Sequence, residues 1–164
     1  MYKRNTLALC MLIFFTLLLS SGNVLSQNCK AELKVEKDRN FKSADKDGAV
    51  FYLVLTNSSS QKDSFIITKS NLITPCNNST YNTPKSNTEL NSTILGSNSK
   101  AITGDHVVSL SPGQTYKFQV KVEAPSKKDY NHWSCIEIKA SSQNCRNVVS
   151  ATTLSVYSSD PSEQ

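Results

Sequence analysis

The chain has 164 residues, with 18 Lys and Arg against 13 Asp and Glu for a net charge of +5, and its histidines are His106 and His132 alone. This length fits one domain, and a mild charge spread along the chain excludes a strongly basic nucleic-acid binder and an acidic tail. With two histidines, most metal and acid–base chemistry lacks its usual residues.

Residues 1–26 read as a secretory signal. Met1 to Arg4 is a short basic start, Leu7 to Leu19 is almost entirely apolar, and Val24-Leu25-Ser26 places a short aliphatic residue at −3 and a small one at −1. The apolar core is too short for a spanning helix, which needs roughly 20 residues, so no membrane span is expected in the mature chain. Ser26-Gln27-Asn28 places a bulky polar residue beside Cys29 and argues against lipid attachment, which needs a small neighbour there. A mature start at Gln27, together with the Asn, Lys and Ser content, resembles exported proteins of the Bacteroidetes group. Loss of Lys3 and Arg4 with the leader lowers the net charge from +5 to +3.

Once Cys10 leaves with the leader, Cys29, Cys76, Cys135 and Cys145 remain. An even count in a small exported chain points to two disulfides. Zinc competes poorly: there is no CxxC pair, and the spacings of 47, 59 and 10 match no zinc ribbon.

The mature chain alternates apolar and polar residues nearly throughout. Ala31, Leu33 and Val35 alternate with Lys30, Glu32, Lys34 and Glu36, giving a first strand with one wet face. A polar loop, 38–48, precedes the unbroken apolar run Val50 to Leu55, a second strand of the kind covered on both sides. Phe65-Ile66-Ile67 forms a third and His106–Leu110 a fourth, closed by the turn Ser111-Pro112-Gly113-Gln114. Tyr116, Phe118, Val120 and Val122 mark a fifth, which Pro125 stops. Ile136, Ile138 and Ala140 mark a sixth, and Thr152, Leu154 and Val156 a seventh. Residues 71–104 form a polar insert in which 18 residues are Asn, Ser or Thr, with one β segment around Leu90–Leu95 able to join a sheet edge.

About seven strands without a helical segment describe an all-β, antiparallel immunoglobulin-like sandwich over residues 27–158, followed by a tail at 159–164. An up-and-down barrel is the weaker alternative, because small barrels space their strands more evenly. Strand directions then sort the cysteines by end. Cys29 precedes the first strand, and Cys145 follows the sixth at that same end. Cys76 follows the third strand, and Cys135 begins the sixth at the other end. The third strand neighbours the sixth in this topology, and the first lies near the seventh, so Cys76–Cys135 and Cys29–Cys145 are the expected pairs. Cys135–Cys145 would have to span the sixth strand, a distance approaching 30 Å, against the roughly 6 Å a disulfide tolerates.

No catalytic or metal-binding residue emerges, and no cofactor is expected. His132 with Cys135 is the one His/Cys cluster, but a copper site needs a second nearby histidine and usually an axial methionine, and both methionines leave with the leader. No GxSxG presents a serine nucleophile. Paired carboxylates for sugar hydrolysis stay open, although a single small sandwich rarely builds a cleft around them. Asp45-Lys46-Asp47-Gly48 resembles part of a calcium loop without its distal Glu, and reads as a turn. Asn57, Asn77, Asn78 and Asn91 begin N-x-[ST] triplets, which arise by chance in such a composition. Trp133 has two readings. It packs against the disulfide at Cys135, or it joins Tyr130 and Tyr81 as a platform for stacking sugar rings or a partner surface.

The stretches Ala49–Asn57, Ser111-Pro112-Gly113-Gln114 leading into Tyr116–Pro125, and Ser134–Ser142 together resemble bacterial secreted immunoglobulin-like and fibronectin type III-like accessory domains, including those attached to alpha-galactosidases. In that family an L-x-P-G turn feeds a strand ending in Ala-Pro, as Leu110–Gly113 and Ala124-Pro125 do here. The chain is most similar to small exported flavobacterial proteins with one such domain. The resemblance carries no catalytic residue. It implies a secreted, non-enzymatic interaction or structural module, in the periplasm or at the cell surface, with a protein or glycan partner. A carbohydrate-binding module is the alternative, and a small hydrolase or protease inhibitor comes third.

Overall fold

The computed structural model describes residues 29–74, 76, 87–102, 106–145 and 147–163. Residues 1–26, for which a secretory signal is expected, and Tyr81 lie outside the described residues. Among the described residues nine strands are present: β1 (Ala31–Val35), β2 (Phe41–Ala44), β3 (Ala49–Asn57), β4 (Asp63–Asn71), β5 (Ser92–Leu95), β6 (His106–Leu110), β7 (Thr115–Val122), β8 (Trp133–Ser142) and β9 (Val149–Ser158). They form a four-stranded sheet, β1-β3-β7-β5, and a five-stranded sheet, β2-β9-β8-β4-β6. Every pairing is antiparallel except β2 with β9, which is parallel. The fold is an immunoglobulin-like β-sandwich, with nine strands where the apolar pattern indicates about seven.

Period-two patterning explains the layers. In β3, Ala49, Phe51, Leu53 and Leu55 point inward, in register with Val122, Val120, Phe118 and Tyr116 of β7. From the facing sheet, Phe65 and Ile67 of β4, Ile136, Ile138 and Ala140 of β8, and Leu154 and Val156 of β9 complete the core. Burial of each large side chain contributes about 1.5–3 kcal/mol.

The two extra strands arise from sheet switching. After Val35, Lys37 and Asp38 take positive φ, and the chain crosses to the other sheet as β2. The stretch 38–48 is therefore not all loop, although Phe41 is the one large apolar residue that marks the strand. Because β1 pairs only with Leu53–Asn57, it leaves the start of β3 without a partner on that side. The Lys42 ammonium fills this gap by donating to the Val50 carbonyl. β5 lies within the polar insert and pairs with β7, and a turn over Gly96–Lys100 brings Ile102 back to donate to the Ile94 carbonyl at 3.0 Å.

The expectation of a second strand covered on both sides is corrected. The outward residues of β3 are Val50, Tyr52, Val54 and Thr56, and Tyr52 is 49% exposed. The apolar run reflects two apolar faces, of which the sandwich covers one.

Two turns require glycine. Asp45–Gly48 closes with a Gly48 N–H bond to the Asp45 carbonyl at 3.0 Å, and Asp47 N–H donates to Asp45 Oδ1 at 3.0 Å. It is a tight turn, and Gly48 has φ +78° with Val122 O only 2.2 Å from where a Cβ would stand. Gly113 has φ +72° after Pro112, the arrangement of a type II turn. Asn57, at the end of β3, is fully buried. Its amide donates to the carbonyls of Gln61 and Leu110 at 2.8 and 2.9 Å, and its Oδ1 accepts from the Ser59 N–H at 3.0 Å. The triplet it begins is thus a brace for two loops, and its side chain is closed to solvent.

The disulfides join Cys29 to Cys145 and Cys76 to Cys135, with Cα separations of 6.4 and 5.5 Å. These are the pairs indicated by strand direction: β4 lies beside β8 at the Cys76 end, and Cys145 sits in the β8–β9 connection. Two disulfides place the chain in an oxidising, non-cytoplasmic compartment. Among the described residues, no helix is long and apolar enough to cross a membrane.

Candidate functional site

The outer face of the five-stranded sheet carries an aromatic group built by register. Trp133 of β8 stands opposite Tyr157 of β9, which stands opposite Ser43 of β2; in the adjacent row, Cys135, Ser155 and Phe41 align. The Trp133 ring centroid lies 5.2 Å from Phe41 and 5.3 Å from Tyr157, both tilted, the spacing aromatic pairs favour. All three rings are half-buried. The Tyr157 hydroxyl donates to Asn131 Oδ1 at 3.0 Å. Trp133 shares its face with the disulfide-bonded Cys135. Its aromatic neighbours in the described structure thus come from β2 and β9, which sequence distance hides. Tyr130 instead lines an open concavity of about 610 Å³ with Lys127, Asn131, Asp160, Pro161 and Ser162. Asn131 belongs to both places.

A second concavity, of about 410 Å³, lies over the Cys29–Cys145 bridge. Its buried carboxylate, Asp63, accepts from the Ser64 N–H at 2.7 Å and from the Ser142 hydroxyl at 2.6 Å, and Ser142 Oγ in turn accepts from the Cys145 N–H at 2.8 Å. This chain of bonds fastens the β8–β9 connection to the start of β4.

The histidines are far apart in role and place. His132 Nδ1 lies 2.7 Å from the Tyr130 carbonyl, an acceptor only, so the proton resides on Nδ1. His106 Nε2 lies 3.1 Å from the Tyr116 hydroxyl, the two rings 5.3 Å apart, and burial pushes its pKa down. Among the described residues, no group of three His, Cys, Asp or Glu is placed to hold a metal ion.

The outer face of the four-stranded sheet has a different character. Tyr52 stands opposite Gln119, Val50 opposite Lys121, and Val54 between Lys34 and Lys117. Lys34 pairs with Glu32 at 2.6 Å and Lys117 with Glu36 at 3.0 Å. The Lys42 ammonium lies 5.8 Å from the centre of the Tyr52 ring. The unbroken apolar run from Val50 to Leu55 hides this face in the sequence, where the outward phase of Tyr52 is its one signal.

No protein-family model and no curated protein sequence matches the chain. Solved structures resemble it in fold. The Calx CBD1 domain in its apo form is 11% identical, with a TM-score of 0.45 over 79% of this chain and 98% of that one. The periplasmic chaperone SfaE is 14% identical, with a TM-score of 0.40 over 82% of this chain and 61% of that one. A beta-glucuronidase from Bacteroides uniformis is 9% identical, with a TM-score of 0.35 over 76% of this chain, which spans only 12% of the enzyme.

Proposed function

We propose that the chain is an exported, non-enzymatic interaction module acting in the periplasm or at the cell surface. The observation that supports this reading best is the display of aromatic side chains on open sheet faces, with Tyr52 half-exposed at the centre of one. Open sheet faces suit docking of another macromolecule, whereas small-molecule chemistry favours an enclosed cleft. The disulfides are consistent with export, and cleavage after Ser26 would release a chain beginning at Gln27.

Photo-cross-linking from positions 52 and 133 of the exported protein tests the reading. A discrete partner captured from either position supports it. A hydrolytic turnover by the purified protein overturns it.

A second reading, carbohydrate binding, is favoured by the Trp133, Phe41 and Tyr157 rings. On a glycan array, a signal lost in Trp133→Ala would select it, because the indole offers the largest apolar ring of the three.

A further inference from the structure

The strand that reads as covered on both sides is covered on one. Phe51, Leu53 and Leu55 fill the core with no exposure, while Val50, Tyr52 and Val54 form an apolar strip along the outside of β3. The neighbouring strands follow the ordinary rule for a solvated face: β7 presents Lys117, Gln119 and Lys121 outward, and β1 presents Glu32 and Lys34. Tyr52, 49% exposed in the middle of the sheet between Val50 and Val54, makes this strip an apolar patch on an otherwise polar face.

The strip has a basic surround. Lys34, Lys117 and Lys121 lie beside it by register, and Lys42 reaches the Tyr52 ring from β2. Glu32 and Glu36 neutralise two of these ammonium groups, while Lys42 and Lys121 have no carboxylate partner among the described residues. We infer that this face docks an acidic polypeptide segment, with Tyr52 as the anchor and the lysines as its rim; the inference rests on the interaction-module reading and names the partner's chemistry. Tyrosine is among the residues enriched at binding hot spots, and interface rims are polar. A saccharide fits less well, because its hydroxyls would lie over Val50 and Val54 without hydrogen-bond partners. Aliphatic side chains match those two valines, and carboxylates match Lys42 and Lys121.

The test is an NMR titration of the purified mature chain with a short synthetic peptide of alternating glutamate and leucine. Shifts confined to β1, β3, β7 and the neighbouring Lys42 of β2 are expected, with affinity falling roughly tenfold between about 0.05 and about 0.3 M salt. Tyr52→Ala and Lys121→Glu should each weaken binding about fivefold or more, with Tyr52→Thr as a second variant that keeps strand preference, and Trp133→Ala should leave it unchanged. Shifts on another surface, or unaltered affinity in the Tyr52 and Lys121 variants, would overturn the inference. The same shifts produced by polygalacturonate and not by the peptide would overturn the polypeptide assignment. A silent titration alongside a partner cross-linked from position 133 would remove this face and leave the module reading standing.

Discussion

Asp129 is a carboxylate that the fold takes almost wholly out of solvent, at 7% exposure. It accepts from the hydroxyl of Ser126, from its N–H at 3.2 Å, and from the hydroxyl of Thr88, so it ties the β7–β8 connection to the polar insert. The Ser126 hydroxyl, and after it the Thr88 hydroxyl, hold its pKa below the ordinary carboxylate value. A carboxyl whose folded pKa is depressed contributes stability above its unfolded pKa and loses it as pH falls through the folded one. Asp129→Asn is therefore expected to lower unfolding free energy by about 1–3 kcal/mol at neutral pH and to flatten the acid limb of the stability curve, as read by urea titration across pH. His106 loses stability in the same direction, but by gaining a charge on protonation where Asp129 loses one. Its folded pKa is lowered by burial from the ordinary 6.5, so the folded state resists the proton that the unfolded chain accepts. Stability should decline as pH drops below 6.5 and level off below the folded pKa, and His106→Gln should abolish that part of the decline without altering partner binding.

At the scale of elements, β2 shows how a short strand is held without much apolar area. It has four residues and a parallel partner, and its lysine serves the opposite sheet by bonding the Val50 carbonyl that β1 does not reach. That bond also closes a stretch of free strand edge, the sort of site at which sheets of different molecules pair. Lys42→Met keeps the stem and removes the donor. It should cost about 0.5–1.5 kcal/mol in chemical denaturation and speed amide exchange at the start of β3, while leaving β9 protected. β5 and its returning segment, Gly96 to Ile102, treat the far edge of the same sheet in another way, covering it with the chain itself.

For the whole molecule, the disulfides close long loops. Cys29–Cys145 spans 116 residues of sequence and Cys76–Cys135 spans 59, the second nested within the first. Cross-links of this length restrict the unfolded chain strongly, and removal of one from a small exported domain costs about 2–5 kcal/mol. Cys76→Ser with Cys135→Ser should be the more damaging change locally, since it frees the insert from β8. Cys29→Ser with Cys145→Ser should release the N-terminal segment and the β8–β9 connection. Thermal melts of both double variants, with non-reducing peptide mapping of the parent, check this; a Cys135–Cys145 peptide would contradict the strand directions as well as the pairing.

The class of the fold, the seven longer strands, the two glycine turns and the order in which the cysteines meet are all legible along the chain. Each of these follows from local chemistry: period-two burial, the φ that only glycine takes freely, and the alternation of direction that antiparallel strands impose. Tertiary structure alone decided the rest. β2 has too few apolar residues to announce itself, and it exists because the chain crosses between sheets at Lys37 and Asp38. Trp133 meets Phe41 and Tyr157 through register across three strands, at sequence distances of 92 and 24 residues that no local pattern encodes. Val50 to Leu55 is apolar on both faces, but which face the core would take, and which would stay open, depended on the packing of the two sheets.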